Sequence, residues 1–347
     1  MLCPSAQVLI LPYAGRTDWR AEPLTDFTID YYDHERDAAG VIAAWESAFD
    51  GYFRVDERAL RAVALTTGPY RPGDHFVARY ADRIIGFAFT QLVKPINAPL
   101  HACLCALGVV RPFWRRGVGQ ALLSTACESA SHAGAAHITL GGHLPRFFPG
   151  VPRILPAAAD FFAVQGFHIN ASDAAVYDLI QDLSAYHTPP HIAERIQTCG
   201  AVLSTATPAD REDILAFHAR EFPNWQLEYA HVMNVGDIED ILIARDQADG
   251  ALIGSLILFT PHSEQMRGDV LWWAELGKPL GALSAVGVSA AARGRGIGIA
   301  LVGRGTELLK ERGIRVAHIG WTSVPRFYEA AGYQIWGVFD GGWRSLR

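Results

Sequence analysis

Arg293-Gly294-Arg295-Gly296-Ile297-Gly298 is the stretch whose residue types and spacing point most directly to chemistry. It follows an apolar run, Leu283 to Val288, and opens a segment with helical periodicity, Ile299 to Lys310. A strand, a Gly/Arg turn and a helix start together make a phosphate-binding device. The first turn of a helix has N–H groups with no intrahelical partner, and the helix dipole adds partial positive charge there. An anion therefore binds well at that end. Glycines let the backbone approach a ligand and reach dihedrals that a side chain forbids, while Arg293 and Arg295 add charge and donors. An imperfect copy lies upstream, Leu107-Gly108-Val109-Val110-Arg111-Pro112-Phe113-Trp114-Arg115-Arg116-Gly117-Val118-Gly119, followed by Gln120 to Ala130. The rival reading of either copy is a plain strand–turn–helix connection; the duplication weighs against it.

Other glycine-rich phosphate motifs fit badly. A P-loop needs Lys then Ser or Thr after its second Gly, and the dinucleotide fingerprint needs a third Gly three residues on. Leu301 and Leu122 hold that place. The helices behind both turns must be anchored, and the spacing of Leu301, Val302, Leu308 and Leu309, and of Leu122, Leu123, Ala126 and Ala130, supplies an apolar face to each.

The rest of the chain positions these turns. Its 347 residues suit two domains. Half the residues are hydrophobic and 19% charged, as in a globular protein. No apolar run approaches the ~18–20 residues of a membrane span, and Gln7 to Pro12 is too short for a signal peptide. Five cysteines without a CxxC argue against a disulfide framework or zinc site and for a reducing cytoplasm. No metal site is expected: His187 and His191 are separated by Pro189-Pro190 and read as a solvated linker. A net charge of −6 without a basic tract disfavours nucleic acid and is compatible with a cationic acceptor such as an amine.

Element signals recur in the same order twice. In the second half, strand Leu203 to Ala206 precedes a capped helix start at Thr207-Pro208-Ala209-Asp210, and Ile214 to Phe222 continues as helix. Ile241 to Arg245 and Leu252 to Thr260 form a hairpin. The glycine turn and its helix follow, then strand Val316 to Gly320, a short helix ended by Gly332, and a closing strand Gln334 to Phe339. The first half repeats this: strand Phe27 to Tyr31, helix Ala38 to Phe49, a hairpin of His75 to Tyr80 with Ile84 to Leu92, and strand Cys103 to Val110. After the turn come strand His137 to Leu140, helix Ala158 to Phe167 and a closing strand Val176 to Ile180. Gly119 to Gly166 spans 47 positions against 34 for Gly298 to Gly332; the extra 13 fall in a Pro/Gly/Phe-rich insertion near Gly141 to Leu155. Thr188-Pro189-Pro190 suggests a linker, dividing the chain into domains 1–190 and 200–347.

With these residues in order, the chain resembles a tandem member of the GNAT superfamily of N-acetyltransferases: strand, [Arg/Gln]xxGxGly, helix, then an aromatic–Tyr-xxx-Gly-aromatic segment. The resemblance covers most of the chain. It implies an α/β fold of two tandem domains, each a mixed, mostly antiparallel sheet flanked by helices. It also implies acetyl-CoA as cosubstrate, its pyrophosphate at the glycine turn, and direct attack of an acceptor amine on the thioester. Cofactor contacts are then expected from Val286, Val288, Arg293, Gly294, Arg295, Gly296, Ile297 and Gly298, and in the first copy from Arg115, Arg116, Gly117 and Gly119. Backbone N–H groups near Val286 to Val288 would polarise the thioester carbonyl.

The resemblance separates the halves. The departing CoA thiolate benefits from a proton donor, a tyrosine four residues before the terminating glycine in many members. That place is Tyr328 in the second half and Phe162 in the first. Counted from Val110, the first turn reads one residue short, seven positions to Gly117 against eight from Val288 to Gly296. The N-terminal domain is therefore expected to be degenerate and the C-terminal domain catalytic. Glu275 is the expected general base, with Glu228 and Asp237 behind it; Trp225, Trp272 and Trp273 either line the acceptor pocket or pack the core. The acceptor is a small-molecule or peptide amine. Alternatives are a mycothiol-synthase-like acetylation and a non-catalytic acyl-CoA-binding regulator.

Overall fold

The computed structural model describes residues 22–65, 71–95, 98–143, 145–170, 174–263, 271–277 and 279–346. The Gln7 to Pro12 segment lies outside them.

The first half contains β1 (Thr28–Tyr31), α1 (His34–Ala48), α2 (Glu57–Leu65), β2 (Arg71–Pro72), β3 (Phe76–Tyr80), β4 (Arg83–Val93), β5 (His101–Val109), α3 (Val118–His132), β6 (His137–Leu140), β7 (Val151–Pro152), α4 (Pro156–Val164), β8 (His168–Ile169) and β9 (Val176–Asp182). The second contains α5 (Pro190–Thr198), β10 (Ala201–Thr205), α6 (Arg211–Glu221), α7 (Gln226–Asn234), β11 (Ile241–Asp246), β12 (Leu252–Phe259), α8 (Trp273–Leu276), β13 (Leu280–Val288), α9 (Ile297–Glu311), β14 (Val316–Thr322), α10 (Pro325–Glu329), β15 (Gln334–Asp340) and β16 (Gly342–Ser345). The start expected at Thr207 is a capping box: Asp210 accepts from the Thr207 N–H at 2.9 Å and from its hydroxyl at 2.8 Å. The segment expected as a linker near residue 190 is instead helix α5, whose Ile192 packs against Gly303 of α9.

Two mixed sheets result. One runs β1-β3-β4-β5-β6-β16-β8 with β2 on β4; the other runs β10-β11-β12-β13-β14-β9-β15-β7. Each has one parallel pair among the described residues, β5 with β6 and β13 with β14. The closing strands are exchanged. Strand β9, expected to close the first half, pairs with β14 and β15 of the second. Strand β16, at the end of the second half, pairs with β6 and β8 of the first. Apolar alternation marks a strand but does not name its sheet, so the exchange leaves no local signal.

The insertion after β6 also joins the halves. Phe147 and Phe148 are buried with Trp45, Phe49 and Phe53 of the first half and with Trp272, Leu280 and Phe339 of the second. Burying aromatics of this size contributes roughly 2–3 kcal/mol each. The halves thus share one core and two crossed strands. No helix among the described residues is long and apolar enough to cross a membrane.

Candidate functional site

The two glycine turns superimpose by register. Gly86 pairs with Val109 in the first sheet, as Gly254 pairs with Val288 in the second. A Cβ on Gly86 would meet the Gly108 carbonyl and Leu122; one on Gly254 would meet the Gly287 carbonyl and Leu301. Val109, not Val110, is therefore the counterpart of Val288. From Val109 to Gly117 is eight positions, as from Val288 to Gly296. The first turn is full length, which corrects the expectation that it is one residue short.

The turns match in detail. A single helical turn (Arg111–Phe113, Ala290–Ala292) leads into each. Arg115 at φ +57° stands where Gly294 has φ +81°, a conformation costing a non-glycine residue about 1 kcal/mol or more. Gly117 and Gly296 cap α3 and α9 in the left-handed region, at φ +89° and +81°, which leaves the first N–H groups of each helix facing outward. Trp114 and Arg293, equivalent in register, each turn back to donate to the strand-end carbonyl, Val109 and Val288 respectively. A Cβ on Gly298 would lie 3.3 Å from Phe327 and 3.6 Å from Val288, and one on Gly119 3.6 Å from Phe161 and 3.5 Å from Val109. Phe161 thus answers to Phe327, and Phe162 to Tyr328.

The flanking arginines differ from expectation. Arg295 is tied down, donating to Asp246 at 2.5 Å and to the Gly200 carbonyl at 3.0 Å. Its role is to brace the turn; Arg293 beside it is exposed, with its Nε turned back to the Val288 carbonyl. In the first half Arg116 donates to the Glu22 carbonyl at 3.3 Å, and its own carbonyl accepts from Leu24 at 3.0 Å. Residues 22–24 therefore lie against that turn.

The strands before the turns show the decisive contrast. In the second half β13 pairs with β14 only over Leu280–Ala282; from Leu283 to Val288 that side of the strand has no ladder partner among the described residues. Ser284, Ala285 and Val286 are partly exposed there. In the first half β5 leaves β6 after Leu104, but the inserted loop fills the gap. Gly141 donates to the Leu104 carbonyl at 3.0 Å and Gly142 to the Phe148 carbonyl at 3.1 Å. A Cβ on Gly142 would lie 2.7 Å from the Cys105 sulfur. Cys105 and Ala106, in register with Ser284 and Ala285, are 1% and 4% exposed.

The open strand also carries a bulge. Ala285 and Val286 oppose the single residue Leu256, between the pairs Ser255–Gly287 and Ile257–Ser284, and Ala285 takes φ +50°. Such bulges re-aim the backbone. A buried polar chain holds this one. His218 Nε2 meets Ser255 Oγ at 3.0 Å, the Ser255 hydroxyl donates to Tyr229 Oη at 3.0 Å, and the Tyr229 hydroxyl donates to the Ala285 carbonyl at 2.9 Å. This direction assigns the His218 proton to Nε2. Burial pushes the His218 ring down to about 3, so it stays neutral. Burial, foremost, also raises the Tyr229 phenol, which keeps its proton for Ala285. In the first half the place of Ser255 is taken by Phe87, stacked on Trp45 at 5.2 Å, with no polar chain.

Tyr328 lies on α10, 9% exposed, edge-on to Phe327 at 4.9 Å and near Tyr333 at 6.5 Å. Glu275, the expected general base, has its carboxylate engaged by Arg54 of the first half. It lies on α8, before β13 begins, whereas the glycine turn follows the other end of that nine-residue strand, roughly 25 Å away at ~3.3 Å per residue. Its carboxylate accepts from the Arg54 N–H at 3.0 Å and Nε at 3.2 Å, joining the two halves. Trp272, 2% exposed, packs the shared core. Arg58 lies 3.4 Å over the Trp273 ring, and Trp225 stacks on Phe222 at 4.9 Å. Glu228 lies on α7 and Asp237 just after it. Sequence reasoning missed His218, Ser255 and Tyr229, because a lone buried polar residue on each of three elements makes no motif.

A family model described as the Acetyltransferase (GNAT) family matches residues 21–146 and 211–333. No curated protein sequence matches. Among solved structures, the chain is similar to a GCN5-related glucosamine N-acetyltransferase region of a fungal multi-domain GH3 β-N-acetylglucosaminidase, at 33% identity and TM-score 0.84. That match covers 92% of this chain and 38% of the fungal one, so the chain spans well under half of that relative's length. It also resembles a GCN5-related N-acetyltransferase from Sphaerobacter thermophilus (16% identity, TM-score 0.65, 92% and 96% of the two chains). A tandem GNAT protein from the clavulanic acid biosynthesis pathway is similar at 18% identity and TM-score 0.65, over 93% and 99%. Two matched copies of the motif on two sheets of one topology make the chain a tandem member of the GNAT acetyltransferase family.

Proposed function

We propose that the chain transfers an acetyl group from acetyl-CoA to a primary amine, with the chemistry in the C-terminal half. The observation that carries this is the open strand Ser284–Val286, set against the covered Cys105–Ala106 at the same register of the other half. The residues fit the cosubstrate. The outward N–H groups at the start of α9, with Arg293 beside them, suit a pyrophosphate. The exposed backbone of Val286 and Val288 suits an extended amide-bearing arm, which adds to a sheet edge by main-chain hydrogen bonds.

The chain's own groups divide the work. The bulge at Ala285, fixed through its carbonyl by Tyr229, aims backbone N–H groups at the place where negative charge develops on the thioester oxygen. The acceptor nitrogen forms the new C–N bond as the C–S bond breaks. Tyr328 gives its hydroxyl proton to the departing sulfur, the acylated nitrogen sheds its extra proton to solvent to leave the amide, and solvent returns a proton to the Tyr328 phenolate. The likeness to the fungal glucosamine N-acetyltransferase region supports an amino sugar of the glucosamine kind as acceptor. The test is release of CoA thiol from acetyl-CoA with glucosamine beside a panel of other amines. Turnover that depends on glucosamine and falls in Tyr328→Phe is expected; thiol release with none of the amines would overturn the proposal.

A further inference from the structure

The first half carries a separate constellation away from the α9 turn. His101 and Cys103 are two residues apart on β5, so their side chains leave the same face. Thr139 faces Cys103 across the parallel ladder, and its Oγ1 donates to Cys103 Sγ at 3.3 Å. The loop that fills the first gap brings in His143. Gln91 Oε1 accepts the His143 N–H at 2.8 Å, and the His143 ring rests edge-on against Trp321 at 5.2 Å. One donor atom each from His101, Cys103 and His143 lies within 4.8 Å of the others. A cavity of about 670 Å³ opens beside the cluster, lined by His101, Thr139, His143, Trp321 and Trp343 among others.

We propose that His101, Cys103 and His143 bind a borderline or soft divalent cation, with Zn²⁺ as the reference ion and a fourth position open to the cavity. Two imidazoles and a thiolate are zinc's preferred donors, and without a carboxylate in the set Mg²⁺ and Ca²⁺ are disfavoured. Tetrahedral bonds of ~2.0–2.3 Å separate donors by about 3.5 Å, so the three close by about 1 Å onto the ion. His143, partly exposed on its loop, makes that movement. The ion displaces the Cys103 thiol proton to solvent, and the resulting thiolate cancels one of the ion's two charges.

The experiment uses the full chain, stripped with chelator and titrated calorimetrically with Zn²⁺. A parallel titration with Co²⁺ is followed by absorption. One ion per chain is expected, with a near-ultraviolet thiolate-to-cobalt band. His101→Ala, His143→Ala and Cys103→Ser should each weaken binding at least about tenfold, and Cys103→Ser should abolish the band. The two histidines are partly exposed, so their variants should keep the parent Tm. Absence of saturable binding, absence of the band in the parent chain, or binding unchanged in all three variants would overturn the site.

Discussion

The two halves share a sheet, a turn and a helix, and differ in what lies beside the strand that leads to the turn. In the second half Ser284 to Val286 are partly exposed; in the first, Cys105 and Ala106 are buried and Gly142 lies against Cys105. Both strands carry a bulge, but the open strand's is tied to a polar chain, whereas the covered strand backs onto stacked Phe87 and Trp45. The glycine turn thus keeps its geometry in both halves while the space beside the strand is open in one and core in the other. The comparison also shows why the halves are not separable: β9 and β16 change places, and the loop that covers one gap anchors the interface of both.

Variants placed at equivalent positions can break this comparison. The largest effect is expected from the turns. Gly298→Leu drives a side chain toward Phe327 and Val288. It should lower kcat/KM for acetyl-CoA by about 100-fold or more, the scale of two lost charge-assisted hydrogen bonds. Gly119→Leu should leave it within about twofold; equal losses would contradict a single reaction site. Next comes the proton donor. Tyr328→Phe should lower kcat by about 10- to 100-fold with little change in KM for acetyl-CoA, and Phe162→Tyr should gain nothing. An unchanged kcat in Tyr328→Phe would remove that residue from the chemistry.

A smaller effect is expected from the bulge. Tyr229→Phe keeps the ring and removes the bond to Ala285, worth about 1 kcal/mol. A kcat loss of about three- to tenfold is expected in steady-state assays, while a change confined to Tm would make the polar chain merely structural. The smallest effect concerns pH. Burial pushes His75 in the first half and His218 in the second down from 6.5 to about 4 and about 3. Both fold neutral, and the unfolded chain binds the protons. Their contribution is therefore fully present above pH 6.5. It is lost as pH falls below that value, by at most about 1.4 kcal/mol per unit for each, until the folded pKa is reached. His218→Gln should flatten the fall of Tm between pH 7 and 4; an unchanged slope would contradict a neutral buried ring.

Much of the architecture was legible because local rules governed it. The Gly296 and Gly117 turns, the Thr207 cap and the order of strands follow from period, capping and glycine chemistry. The partner of each strand was not legible: Val176 to Ile180 reads as a strand whichever sheet receives it. The apparent shortening of the first turn came from counting at Val110, since only the pairing of Val109 with Gly86 fixes the register. Glu275 is near β13 in sequence, but its partner Arg54, 221 positions away, is set only by folding. The chain from His218 to Ala285 left no pattern because its members sit on α6, β12, α7 and β13, joined only by folding.

The most direct measurement is a crystal structure of the full chain with CoA. The pyrophosphate is expected at Gly294 to Gly298 and the pantetheine arm along Ser284 to Val288, with its sulfur directed toward Tyr328. CoA seated on Arg115 to Gly119, with the second turn empty, would contradict the assignment of chemistry to the C-terminal half.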